Sequence, residues 1–192
     1  MLPMPPAERF AGAGIYALYY VGDFLAYEPL AERNRDLRFE IPIYVGEAVP
    51  EGARKGGVIE TNRPTYKLYS RLREHAKSIS QAENLRVQDF YFRYLVVDHI
   101  WIPLGEELMI RTFAPVWNKV IDGFGIHTPG ANRPQTISAW DTLHPGRSFV
   151  KKVNLRPNPK SQDQWIEEVR TYLALPRDMQ TARPTVEAGE EE

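Results

Sequence analysis

Cysteine is missing altogether from this chain, which removes disulfides and thiolate-held metals and makes a reducing cytoplasm the expected compartment. Long apolar runs are missing too. No stretch nears the roughly 18–20 residues that a membrane-spanning helix requires. The opening MLPMPPAERF lacks the basic and then apolar pattern of a secretion signal. Histidine is scarce, with four at positions 75, 99, 127 and 144, too far apart for a compact zinc motif. Neither a GxxxxGK[ST] phosphate loop nor a GxSxG elbow occurs. The chain also has no strong charge of one sign, its formal total being −1.

That near-neutral total hides an uneven distribution. Arg54–Lys77 holds seven basic and two acidic residues, and Arg133–Lys160 holds six and one. The tail Pro184–Glu192 carries four glutamates and no base, so without it the chain stands at +3. Two such basic stretches are able to face phosphate, although ordinary solvated charge gives the same composition. A length of 192 residues with 43% hydrophobic content is that of one globular domain with decorations.

Residues 1–12 read as a loose, Pro-rich leader, 13–178 as a single domain, and 179–192 as an acidic, disordered tail. Within the domain, Ile15–Val21 and Ile41–Val45 read as strands, dense in aromatic and branched residues and closed by glycine. Residues 46–64 form an insertion loop broken by glycine and proline, long enough to carry function. Apolar residues at 68, 69, 72, 76 and 79 predict a helix over Thr65–Gln81, and alternation predicts a strand over Gln88–Val97. A second helix runs from about Leu104 to Phe113 and stops before Pro115. An irregular extension, 119–160, precedes a last helix. That helix opens on a Ser161–Gln164 capping box and runs to about Leu175, burying Trp165, Val169 and Tyr172. The order predicts an α+β domain, a small three-stranded and mainly antiparallel sheet flanked by helices.

Six polar residues within this frame stand out. GIYALYYVG (Gly14–Gly22) carries Tyr16, and PIYVG (Pro42–Gly46) carries Tyr44. LYSRLREH places Arg71 and His75 at i and i+4, on one helix face, with the alternative Arg73 on another. EELMIRTFAPVWN runs from Glu106 to Asn118, twelve residues on; the rival Glu107 does not give that spacing. Taken singly, each has an ordinary use: strand tyrosines pack, arginines cover helices, and a glutamate near a helix start suits the dipole. Taken together, two phenols, a guanidinium, an imidazole and one carboxylate suit phosphodiester cleavage with a single metal ion.

In order and partly in spacing, these motifs resemble the GIY-YIG nuclease superfamily, with Val45 in place of the name-giving isoleucine. Glu47 departs from the pattern, standing where many relatives place a basic or amide residue. The resemblance implies that Tyr16 and Tyr44 present hydroxyls to the cleavage site and that Arg71 meets the scissile phosphate. It also implies that Glu106 holds Mg²⁺, for which Mn²⁺ may substitute, and that Asn118 closes the motif. A free phenol, with pKa about 10, is almost fully protonated at pH 7, so Tyr16 needs help, and His75 is placed to accept the proton or a hydrogen bond, either residue being a candidate to take the proton from water. The phrases PIYVGEAVPEGARKGG, DGFGIHTPG and WDTLHPGR further resemble type II GIY-YIG restriction endonucleases that cut CCGCGG. That group implies double-stranded DNA as substrate, a homodimer on the palindrome, and a cognate DNA methyltransferase. Subunit contacts are then expected from the leader and the 46–64 loop. The 119–160 extension is the expected DNA-recognition segment, and Arg133, Arg147, Lys151 and Lys152 within it, with Arg54 and Lys55 from the loop, are the candidates to meet bases or phosphates. The competing expectations are a repair or mobile-element nuclease of the same chemistry, and an inert DNA-binding module.

Overall fold

In a computed structural model, residues 1–50, 64–125 and 135–186 are described. Strands β1 (Leu2–Pro3), β2 (Gly14–Tyr20), β3 (Tyr44–Ala48) and β4 (Phe90–Val96) form one sheet in the order β1-β4-β2-β3. Every pairing is antiparallel. The α+β architecture is as the sequence predicts, with a fourth strand added. The extra strand comes from the leader, which is not loose in the fold. Leu2 and Pro3 pair with Phe92 and Tyr91, and the buried Met4 donates its N–H to the Phe90 carbonyl. A two-residue strand held by tertiary pairing leaves no periodicity to read. β3 also starts at Tyr44, three residues past the expected Ile41.

The central strand β2 is buried along its whole length. Tyr16, Leu18 and Tyr20 enter the larger core, and Ile15, Ala17 and Tyr19 enter a second core on the opposite face. A strand covered on both faces needs no polar alternation, which is why GIYALYY shows none. Helix α1 (Glu28–Asn34) precedes β3, and α2 (Lys67–Gln81) covers the first face through Leu68, Leu72, Ala76 and Ile79. Helix α3 (Ile102–Phe113) covers the second through Ile102, Met109 and Ile110. Removing one such buried aliphatic side chain from water stabilises the fold by about 1.5–3 kcal/mol.

Short helices follow: α4 (Val116–Lys119), α5 (Ala139–Leu143) and α6 (Ser148–Val153), then α7 (Gln162–Ala174) and α8 (Arg177–Ala182). The expected capping box opens α7. Ser161 Oγ accepts the Gln164 N–H at 3.3 Å and Gln164 Oε1 accepts the Ser161 N–H at 2.8 Å. Val169 and Tyr172 are buried as predicted, while Trp165 is only partly covered.

A directional chain of hydrogen bonds crosses the larger core. Trp117 Nε1 donates to Tyr27 Oη at 2.8 Å, and that hydroxyl lies 2.6 Å from His144 Nε2. His144 Nδ1 lies 2.9 Å from Asn84 Oδ1, and Asn84 Nδ2 donates to the Leu143 carbonyl. Asn84 therefore offers an acceptor, so Nδ1 carries the ring proton and Nε2 accepts from Tyr27. Burial, aided by nearby Arg147, pushes the His144 pKa down to about 3, so the ring is neutral.

Candidate active site

β3 is the sheet's outer strand, and helices lie over both faces beside it, so the two layers meet at one edge. The β2–β3 register sets Tyr16 opposite Gly46 and Leu18 opposite Tyr44. Both phenols thus project from the α2 face, with ring centroids 6.2 Å apart. Gly46 has a steric reason to be glycine. A Cβ there would lie 2.5 Å from Tyr16 Oη and 2.8 Å from Tyr44 Cε1. Glu47, paired with Ile15, belongs to the other face and does not join the phenols.

The i, i+4 pair on α2 reaches the phenols as expected. His75 is fully buried, and its Nε2 lies 2.5 Å from Tyr16 Oη. Its ring sits 5.5 Å from that of Tyr44. The Arg71 guanidinium is within hydrogen-bonding reach of the Tyr16 phenol and also pairs with Glu74 at 3.4 Å. Arginine only donates, so the phenol oxygen accepts from Arg71 and shares a hydrogen bond with His75 Nε2. Burial pushes the Tyr16 pKa well above the ordinary phenol value; Tyr44 and Glu106 add to the rise, and Arg71 opposes it. Tyr16 is a neutral phenol in this protein. Arg73 is exposed and points elsewhere.

Glu106 arrives from the opposite layer. α3 begins at Ile102 with a proline in its first turn, two residues before the expected Leu104. Glu106 therefore lies inside the helix rather than opening it, and the helix dipole does not account for it. It lines a cleft of about 190 Å³ together with Tyr44, Asn118, Asp122, Phe124 and Val186. Glu107 is mostly exposed and pairs with Arg111 at 3.7 Å on the outer surface. Asn118 acts on the strand. Its Nδ2 donates to the Val45 carbonyl and its Oδ1 accepts the Val45 N–H, each at 2.9 Å. The carboxamide thereby occupies the open edge of β3 as a further strand would, and fixes the residue next to Tyr44.

Sequence reasoning missed Phe124. Its ring stacks on His75 (centroids 4.5 Å apart, 17° between planes) and meets Tyr44 edge-on at 4.9 Å. The only signal was one aromatic between two glycines in DGFG. Gly123 and Gly125 have φ of +93° and +87°, which side chains rarely tolerate. A Cβ at Gly125 would lie within 3.7 Å of His75, Arg71 and Tyr44.

The basic candidates divide. Arg147 is corrected: it is 2% exposed, and its Nε and Nη2 donate to the Asp141 carboxylate at 2.6 Å each. Nη2 also donates to the Gly123 carbonyl at 2.9 Å, so Arg147 braces the site's floor and has no free face for a base. Lys151 and Lys152 are exposed on α6. Arg54, Lys55, Arg133 and most of the expected 46–64 loop lie outside the described residues. The tail is ordered further than composition implies. α8 reaches Ala182, and the Val186 N–H donates to the Asn118 carbonyl at 2.8 Å beside the cleft.

A divalent ion fits the donor set in one way only. Among the described residues no cluster of three His, Cys, Asp or Glu side chains exists. The two carboxylates lining this half-open cleft, Glu106 and Asp122, are oxygen donors of the kind a hard, hydrated cation takes, with water and phosphate completing its shell. They do not match tetrahedral zinc.

Paired phenols on an antiparallel sheet, with an arginine from one flanking layer and a glutamate from the other, define the GIY-YIG class of nucleases. Residues 8–173 match the family model described as the Eco29kI GIY-YIG domain, and the chain belongs to this family of restriction-type nucleases. No curated protein matches the chain. Among the described residues no helix is long and apolar enough to cross a membrane.

Proposed function

We propose that the protein is a type II restriction endonuclease that cuts both strands of DNA at a short GC-rich palindrome, CCGCGG. The observation that carries this reading is that His75 and Arg71 reach the Tyr16 phenol from one layer while Glu106, from the other, shares a cleft with Tyr44 at the sheet's edge. Arg71 is suited to grip two phosphate oxygens through its planar fork and to neutralise charge developing there. The Tyr16 phenol stands between Arg71 and His75. It takes a proton from the attacking water as its own proton passes to His75 Nε2. Such a relay never requires free phenolate, which agrees with the raised Tyr16 pKa. Tyr44, just reaching the cleft surface, holds the water or the phosphate in place. Glu106 would hold Mg²⁺, or Mn²⁺ in its place, and the bound ion supplies neutralisation of the leaving 3′-oxygen.

One such site cuts one strand, so a break in both strands of a palindrome calls for a homodimer with one half-site per subunit. Lys151 and Lys152 follow Ser148, whose N–H is held by Gln81 at the end of α2. That end is about 15 Å from Arg71 at 1.5 Å per helical residue, a reach that suits phosphates further along the duplex. A cognate methyltransferase protects the host's own sites.

Incubating the protein with plasmid and Mg²⁺ and sequencing the fragment ends tests each level separately. Linear product with ends in CCGCGG is expected, along with loss of cleavage by a folded Glu106→Ala variant. Substantial metal-dependent cleavage by that variant overturns the role of Glu106. Nicks alone remove the dimeric reading in favour of a repair-type enzyme, and binding without cleavage removes the catalytic one.

A further inference from the structure

We infer that Phe124 is a positioning residue for the proton relay, setting the plane of the His75 imidazole through its ring. This inference rests on the nuclease reading above. His75 must present Nε2, and not Nδ1 or Cε1, to the Tyr16 hydroxyl 2.5 Å away. Imidazole has a torsion about its bond to Cβ that is broad, so the hydrogen bond alone leaves the ring plane loosely set. The Phe124 ring lies nearly parallel to the imidazole, 17° between planes and 4.5 Å between centroids. Rotation of His75 would drive its edge into that face. Phe124 also touches Tyr44 edge-on at 4.9 Å, so one ring sets two members of the site.

Phe124 is itself firmly held. Trp117 packs at 4.3 Å and Trp140 at 5.4 Å between centroids. The backbone before it is fixed at three points. Asp122 Oδ1 accepts the Ala139 N–H, the Asp122 carbonyl accepts the Trp140 N–H, and Arg147 grips the Gly123 carbonyl. The buried Arg147–Asp141 pair thus reaches the reaction through Gly123 and Phe124, though neither charge faces the cleft. A segment that composition assigns to base reading begins as the floor of the catalytic site.

The test compares Phe124→Leu, which keeps apolar bulk without a flat face, with Phe124→Tyr, which keeps the face. Two readouts are taken: steady-state cleavage, and the ring ¹⁵N resonances of His75, which report its hydrogen bond to Tyr16 without any turnover. Phe124→Leu is expected to lower kcat by about 100-fold, as small misplacements of a reacting group do, with KM for DNA unchanged. Its His75 Nε2 resonance should shift as the hydrogen bond to Tyr16 loosens. Phe124→Tyr should restore both readouts to near native values. A native kcat in Phe124→Leu, a loss confined to KM, or an unchanged Nε2 resonance overturns the inference. Equal loss in both variants does so too. If the native protein fails to cleave DNA, the nuclease reading falls, while the Nε2 resonance comparison still decides whether Phe124 sets the ring.

Discussion

At Gly46 a missing side chain does the work of a spacer: the Tyr16 ring lies over the strand where a Cβ would stand. Gly46→Ala should move the phenol away from His75 and Arg71. Overpacking of this kind costs about 1–3 kcal/mol, and the kcat for cleavage should fall further than that destabilisation explains. Thermal melts and cleavage rates on the same preparation check this, and an unchanged rate would mean that the phenol tolerates displacement. The grouping of Tyr16, Tyr44, Arg71, His75 and Glu106 came from the family resemblance, and spacing alone placed only Arg71 and His75 on one helix face. Phe124 and Arg147 were legible in neither. Phe124's role depends on two positive-φ glycines aiming one ring, and Arg147's on a buried partner six residues back. An arginine in a polar loop reads as solvated until Asp141 is seen beneath it.

Among the elements, the bond between Asn118 and β3 has the clearest consequence. Asn118→Ala removes two hydrogen bonds to Val45 and leaves its backbone N–H and C=O buried without them. Each such loss costs about 1–3 kcal/mol. The denaturant midpoint should fall accordingly, and cleavage should weaken even where the variant is folded, because Tyr44 adjoins the loosened residue. Full activity in a destabilised variant would separate the strand's stability from its chemistry. The strongly periodic helices α2 and α7 were legible nearly to the residue, as was the Ser161 cap. The leader strand was not, since two residues gain their conformation from β4 alone. β3 was displaced by three residues because Ile43, which looks like strand, is buried ahead of it.

For the molecule as a whole, the neutral His144 at the end of the Trp117–Tyr27 chain makes stability depend on pH. Its pKa is about 3 in the fold, against roughly 6.5 for an ordinary histidine once unfolded. Below about pH 6.5 the unfolded chain binds a proton that the fold refuses. The contribution is therefore complete above that pH and lost progressively as pH falls toward 3, by up to about 1.4 kcal/mol per pH unit. Chemical denaturation between pH 7 and 4 should show this slope flattened in His144→Gln; equal slopes would mean that carboxylates account for the acid sensitivity. No reading of the sequence pointed to it, since His144 lies 117 positions from Tyr27 and 60 from Asn84 along the chain.

Tyr16 is carried by the strand in the middle of the domain, covered on either side along all seven of its residues. A backbone so enclosed exchanges its amide protons only when the surrounding layers part, which makes it among the last segments to open. The relay hydroxyl is thus mounted on the slowest-breathing stretch of chain, while the partners that approach it come from helices laid over that stretch. Heating should then extinguish DNA scission and cooperative structure at one temperature, with no window in which a folded but idle protein persists.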